Sequence, residues 1–263
     1  MGSKSKNQMW HDTVVVVTGG ASGLGLACVE HFAKLGCKVA MLDLPSSDGA
    51  SLAQAWGEAV RFMPVNVCDE ASLEAAIQAT QAQMGPLKVL INCAGIAPAV
   101  RTVGRDGPHD LSVFRRVIDI NLTGTFNAIR LAANAMSKQT ADISGNRGVI
   151  INTASAAAFD GQVGQAAYAA SKAGVVGMTL PLARELARFG VRVMTVAPGI
   201  FWTPMLEAAA PQLRESLTKD VPHPPRAGKP AEFALLAQSI VENPYLNGEV
   251  IRLDGAARLS FMR

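Results

Sequence analysis

Seven short apolar runs punctuate the chain with room for a helix between most of them, and this alternation restricts the fold more than any other feature. The runs are VVVVTG from Val14, KVAMLD from Lys38, AVRFMPV from Ala59, KVLINCAG from Lys88, GVIINTAS from Gly148, VRVMTVAPG from Val191 and EVIRLDG from Glu249. They are continuously apolar, where a half-exposed strand would alternate, so the sheet is expected to be covered on both faces. Ala- and Leu-rich segments of helical length lie between them at 24–35, 70–84, 110–136, 165–189 and 230–242. Alternating strands and helices with right-handed crossovers predict an α/β fold: a doubly wound, seven-stranded parallel sheet flanked by helices, with ligands beyond the carboxyl ends of the strands. Pro181 falls inside the 165–189 segment, where it deprives the Gly177 carbonyl of its helical donor and predicts a kink.

No linker or low-complexity tract interrupts the pattern, so the 263 residues divide into a polar tail over 1–12 and one domain over 13–263. The net charge of +3 comes from 24 basic and 21 acidic residues spread along the chain, too even for a nucleic-acid footprint. No apolar stretch reaches the ~18 residues of a membrane span, and the opening residues form neither a secretory leader nor an Arg-rich presequence. The expectation is a soluble cytoplasmic protein, with the mitochondrial matrix as the alternative. Cys28, Cys37, Cys68 and Cys93 have no C-x-x-C spacing, and His11, His31, His109 and His223 are scattered. No metal site or disulfide framework is expected, and the cysteines read as small buried hydrophobes.

Directly after the first run comes Thr18-Gly19-Gly20-Ala21-Ser22-Gly23-Leu24-Gly25, followed at once by helical pattern. In this context Gly19 permits a tight turn, Gly23 lets backbone approach a pyrophosphate at the helix N-terminus, and Gly25 allows close helix-to-strand packing. The second run ends in Asp43, where a carboxylate can accept hydrogen bonds from an adenosine ribose and would repel a 2′-phosphate. No arginine or lysine occupies Thr18 to Gly25 or the three positions after Asp43, so NAD is favoured over NADP. The competing role for Asp43 is a helix N-cap.

With nucleophile-elbow, zinc-protease and Walker motifs absent, the chemistry falls to Ser155 at the end of the fifth run and to Tyr168 and Lys172, four apart on one helical face. A lysine cation lowers a phenol's pKa from its reference of ~10 and makes tyrosinate accessible near neutral pH. Tyr168 could then take the proton of a secondary alcohol while Ser155 holds the same oxygen. A serine after a strand is also a common turn or cap residue.

These residues, taken in order with NCAG at 92–95, Asn121, PGIFWT at 198–203 and the closing RLDGA, resemble the short-chain dehydrogenase/reductase family over essentially the whole chain. The resemblance implies a single-domain Rossmann fold and a catalytic tetrad of Asn121, Ser155, Tyr168 and Lys172, in which Asn121 bends its helix and anchors a water relay to Lys172. It implies that Asn92, Cys93, Ala94 and Gly95 steady the sheet beside the adenosine. Ser22, Leu24, Val67, Pro198, Gly199, Phe201 and Thr203 join the NAD site, and Gln162 joins Ser155 and Tyr168 in the substrate site. Where the family usually has an aspartate at the adenine amine, this chain has Asn66, whose side-chain oxygen could accept the same hydrogen bond.

Within the family, GVIINTAS, AAFDGQVGQAAYAASKAG, GMTLPLAREL and ENPYLNGEVIRLDGA resemble members that oxidise short-chain 3-hydroxyacyl-CoA thioesters. A small-molecule substrate, an acyl-CoA, is therefore implied, as is a homotetramer packed through the 110–136 and 165–189 segments. The loop AVRTVGRDGPHD keeps Arg101 and Arg105, which either meet CoA phosphates or face solvent. The residues from Pro204 to Pro225, Met205 and Leu206 among them, are expected to fold over the substrate. A steroid or small-alcohol dehydrogenase, a 3-oxoacyl-carrier-protein reductase and a cofactor-binding scaffold are the alternatives.

Overall fold

The computed structural model describes residues 10–11, 13–105, 107–207, 214, 218–219 and 221–260, without the side chain of Met205. The expected tail over 1–12 lies outside these residues apart from Trp10 and His11, as does most of the stretch from 208 to 220. All seven runs form strands: β1 Val14–Thr18, β2 Lys38–Asp43, β3 Val60–Pro64, β4 Leu87–Asn92, β5 Gly148–Thr153, β6 Val191–Pro198 and β7 Val250–Leu253. They lie in the order β3-β2-β1-β4-β5-β6-β7, every neighbouring pair parallel. The chain winds outward from β1 to β3 and returns to the other side of β1 as β4. Connections therefore leave the ends of β1 and β4 in opposite directions, and a crevice opens between them.

Helices α1 Gly23–Lys34, α2 Gly49–Gln54, α3 Glu70–Met84, α4 Leu111–Ile118, α5 Gly124–Ser137, α6 Ala166–Leu186 and α7 Pro230–Glu242 cover the sheet. The β1 valines show why the runs are continuously apolar. Val14 and Val16 join one core with Leu73, Ile129 and Met136, whereas Val15 and Val17 join the other with Phe32 and Phe233. Phe32 and Phe233 are fully buried, each contributing about 1.5–3 kcal/mol of apolar burial. Helix α6 runs on through Pro181 to Leu186. Within the 110–136 segment a π-helical turn over Asp119–Thr123, which contains Asn121, lies between α4 and α5, where the resemblance implied a bent helix. The alternation also gave no sign of α2 or of a two-stranded ribbon, Val103–Gly104 against Gly107–Pro108.

At the carboxyl edge, three adjacent strands are tied by buried polar side chains. Thr18 Oγ1 donates to Asn92 Oδ1 at 3.3 Å, and Asn92 Nδ2 donates to Asn152 Oδ1 at 2.9 Å. The backbone N–H groups of Cys93 and Ala94 donate to Thr18 Oγ1 at 3.2 and 3.3 Å. This belt fixes the floor of the crevice. Cys28 and Cys37 are buried as expected, but Cys68 is exposed and Cys93 is half-buried. No helix among the described residues is long and apolar enough to cross a membrane.

Candidate active site

A cleft of about 520 Å³ runs along the carboxyl edge of the sheet, from Asn66 after β3 to Phe201 and Thr203 after β6. Its centre is the glycine loop. Gly25 packs so closely beneath the loop that a Cβ there would overlap the Gly19 carbonyl. The α1 N-terminus has no acidic residue in its first turn, and the side chain of its N-cap, Ser22, makes no capping hydrogen bond. First-turn N–H groups, which lack intrahelical acceptors, thus face the cleft beside Ser22, Gly23, Leu24 and Gly25, a ready site for a pyrophosphate.

Asp43 lines the cleft and also braces the loop, accepting from the Ala21 N–H at 2.9 Å and from the Leu44 N–H at 2.7 Å. It does not cap the next helix, whose N-cap is Asp48. Each carboxylate oxygen retains a lone pair for a ribose hydroxyl. The residues present therefore fit an adenine dinucleotide. Asn66 lines the same end, but its Oδ1 accepts from the Cys68 N–H at 3.1 Å, so the oxygen expected to meet an adenine amine points into a turn of the protein instead.

Ser155, Tyr168 and Lys172 line the other end. Ser155 begins a 3-10 turn, and its Oγ accepts from the Ala157 N–H at 3.1 Å. It is a cap, a common role for a serine after a strand, and the bond also leaves its hydroxyl hydrogen to donate into the cleft. Lys172 donates to the Thr153 carbonyl at 2.7 Å, and its ammonium lies 5.9 Å from the centre of the Tyr168 ring. Burial brings the Lys172 pKa down to about 8, opposed by negative charge on the nearby Cys93 sulfur.

Asn121 stands in the π turn and is fully buried, outside the cleft lining. Its Oδ1 accepts from the Ile96 N–H at 2.8 Å, while Nδ2 donates to the Ile96 carbonyl at 2.9 Å and to Ser171 Oγ at 3.1 Å. Asn121 and Lys172 meet across Gly95: a Cβ on that glycine would lie 3.1 Å from Asn121 Oδ1 and 3.6 Å from Lys172 Nζ. Asn92 is likewise buried in the floor, whereas Val67, Cys93, Ala94, Pro198 and Gly199 line the cleft.

Gln162 does not line the cleft itself. It lines an adjoining hollow of about 620 Å³ with Arg101 and Val103, and its Nε2 donates to the Ser260 carbonyl at 3.0 Å. Gln165, which the motifs did not single out, lines both spaces. Arg116, Ile120 and Leu259 also line the cleft without a sequence signal: the first two sit on the helical face that leads into Asn121, and Leu259 arrives on the C-terminal strand's extension. Pro204 and Leu206 are the described members of the expected covering stretch that reach the cleft.

The model of the short chain dehydrogenase family matches residues 13–214. The chain is 53% identical over 253 residues to 3-hydroxyacyl-CoA dehydrogenase type-2 of Drosophila melanogaster, covering 95% of this chain and 99% of the relative. The protein of that name from Homo sapiens is 52% identical over 248 residues, with 94% and 95% covered. A crystal structure of 3-hydroxyacyl-CoA dehydrogenase type-2 from Mycobacterium avium shares the fold with a TM-score of 0.91 at 40% identity, covering 96% of this chain and 98% of that one. The fold agrees with these likenesses: the chain belongs to the short-chain dehydrogenase family, whose members are nicotinamide-nucleotide-dependent oxidoreductases.

Proposed function

We propose that the protein oxidises the 3-hydroxyl of a short-chain 3-hydroxyacyl-CoA to the ketone, with NAD as cofactor. The observation that carries this reading is the convergence of Ser155, Tyr168 and Lys172 at one end of a cleft whose other end presents Asp43. When bound, the nicotinamide ring accepts the electron pair and hydrogen from the alcohol carbon. Ser155, whose Oγ already accepts from Ala157, donates its hydroxyl hydrogen to the substrate oxygen and fixes its position. Tyr168 takes the alcohol proton, and the Lys172 ammonium beside its ring favours the tyrosinate. Asn121 positions Lys172 by bracing the Ile96 segment and Ser171.

Asp43 supports NAD over NADP, since it directs a carboxylate at the ribose end with no cation beside it in the loop. Arg101 borders two hollows next to the cleft and Arg105 borders one of them, where they would meet the phosphates of CoA. A homotetramer fits the exposed apolar side chains of Phe126 on α5 and Leu180 on α6, together with the groove between these helices lined by Ile129, Leu182 and Phe189. Purified protein with NAD should form NADH with 3-hydroxybutyryl-CoA and its 2-methyl homologue. Inactivity toward both, with turnover of a steroid or simple alcohol, would reject the substrate.

A further inference from the structure

Two of the four cysteines meet beneath the glycine loop. Cys28 stands on α1 and is completely buried, whereas Cys93 follows β4, is half-buried and lines the cleft. A side-chain hydrogen bond joins the two thiols, and Cys93 Sγ lies 3.5 Å from Thr153 Oγ1. Lys172 donates to the carbonyl of that same threonine. A reagent from solvent therefore reaches Cys93 through the cleft, and Cys28 only by way of Cys93.

Their surroundings make the two thiols unequal. Burial, and then the bond to Cys93, hold Cys28 well above the ordinary thiol range. The same bond holds Cys93 below that range against the effect of burial, with the Thr153 hydroxyl and the Lys172 charge acting in the same direction. Cys28 S–H is thus the donor, and the Cys93 sulfur carries the thiolate character that makes a cysteine nucleophilic. The alcohol oxidation proposed above uses neither sulfur as a reactant.

We propose that Cys93 and Cys28 form a redox-active dithiol, which hydrogen peroxide closes into a disulfide that switches off cofactor binding. The Cys93 thiolate attacks one peroxide oxygen, the O–O bond breaks, and the departing hydroxide takes a proton from solvent and leaves as water, so that the sulfur becomes a sulfenic acid. The Cys28 sulfur then attacks the Cys93 sulfur. The S–S bond forms, the S–O bond breaks, and the hydroxyl leaves with the Cys28 proton as a second water. The thiol pair loses two electrons, and one peroxide is reduced to two waters.

Bonded sulfurs stand about 2.05 Å apart, closer than a hydrogen-bonded pair, so closure draws Cys93 toward α1. The glycine loop is seated on this residue. Thr18 Oγ1 accepts from the Cys93 N–H at 3.2 Å, and Gly19 packs so tightly on the next peptide that a Cβ there would lie 2.7 Å from the Ala94 nitrogen. Closure therefore shifts the loop that faces the pyrophosphate and removes the sulfur charge that supports the Lys172 ammonium. The effect on binding rests on the cofactor reading proposed above; formation of the disulfide does not.

Reduced protein in a Cys68→Ser background, which removes the exposed thiol, is treated with hydrogen peroxide. Peptide mass mapping should find Cys28 joined to Cys93. NADH affinity should fall by about tenfold or more, the scale of a lost hydrogen bond to a charged group, and dithiothreitol should restore it. Cys28→Ala and Cys28→Ser should keep the untreated activity of the parent, and peroxide should carry their Cys93 to the sulfinic acid, a loss that dithiothreitol does not reverse. Absence of the cross-link, a cross-link that leaves NADH affinity unchanged, or recovery of the folded Cys28 variants with dithiothreitol overturns the proposal. Reduced protein that binds no NADH instead overturns the cofactor reading, while the mass map still tests the disulfide.

Discussion

The almost fully buried Lys172 ammonium donates to the Thr153 carbonyl at 2.7 Å, tying the helix that carries Tyr168 to the end of β5. The same bond holds a positive charge 5.9 Å from the centre of the Tyr168 ring. That contact therefore helps set both the placement and the electrostatic surroundings of the proposed proton acceptor. Tyr168→Phe removes the proton acceptor but keeps the ring, so turnover should fall by about 10²–10⁴-fold. NADH affinity, measured by fluorescence titration, should remain close to wild type. Undiminished turnover in this variant would remove Tyr168 from its proposed role.

Burial of Lys172 has a pH signature in stability. Its pKa is about 8 in the folded protein against 10.5 for an unperturbed lysine, so between these values the unfolded chain binds more protons. Stability contributed by this group consequently rises as pH increases from about 8 toward 10.5, and the full penalty of the buried charge is present below pH 8. Urea unfolding of wild type and Lys172→Met across pH 7–10 isolates the effect. The wild-type stability should increase relative to the variant over that window, and parallel curves would show that Lys172 does not titrate there.

Asp43 braces the glycine loop through Ala21 and faces the ribose end of the cleft. Asp43→Ala should weaken NADH binding by about 10–100-fold, the range for lost hydrogen bonds to a charged group. The same change removes the carboxylate that opposes a 2′-phosphate, so the ratio of NADPH to NADH affinity should rise. Parallel titrations measure both effects. A wild-type protein that prefers NADPH would refute the assignment of Asp43.

The strands were legible because both faces of the sheet are covered, which leaves continuous apolar runs such as VVVVT in β1. The π turn at Asn121 was signalled only through the family resemblance, because the sequence on either side of Asp119–Thr123 is equally helical in pattern. Ser155, Tyr168, Lys172 and Asp43 were readable as site residues because each follows a strand or opens a helix at the ligand-facing edge. That Gln162 lines the adjoining hollow was not legible, because a contact 98 residues away, with the Ser260 carbonyl, decides where its amide points. Leu259 and Arg116 reach the cleft through tertiary packing, and neither sits in a local motif. Asn66 was readable only as a departure from the resemblance, and only the turn at Cys68 shows that its side-chain oxygen accepts from the protein's own backbone.

Arg252 on β7 connects the wall of the cleft to its foundations. Its guanidinium pairs with Asp160 and with Asp254 at 2.7 Å, stacks near Phe159 and donates to the Ala257 carbonyl at 3.2 Å. Leu259, two residues beyond Ala257, lines the cleft, so the network orders the segment that presents it. The pairing with Arg252 holds the Asp160 carboxyl below the usual carboxylate range. This contribution is present above the ordinary carboxylate pKa and is lost as pH falls through the depressed folded value. Arg252→Ala leaves Asp160 without its cation and Asp254 with only the more exposed Arg258, at 3.1 Å, in a half-buried site, and should destabilise the fold by roughly 1–3 kcal/mol, less than a fully buried pair would lose. Urea unfolding checks this magnitude. Because Leu259 lines the cleft and Arg252 does not, the variant should raise KM several-fold while kcat changes less. An equal fall in kcat without a change in KM would show that the network supports the chemical step and not the wall of the site.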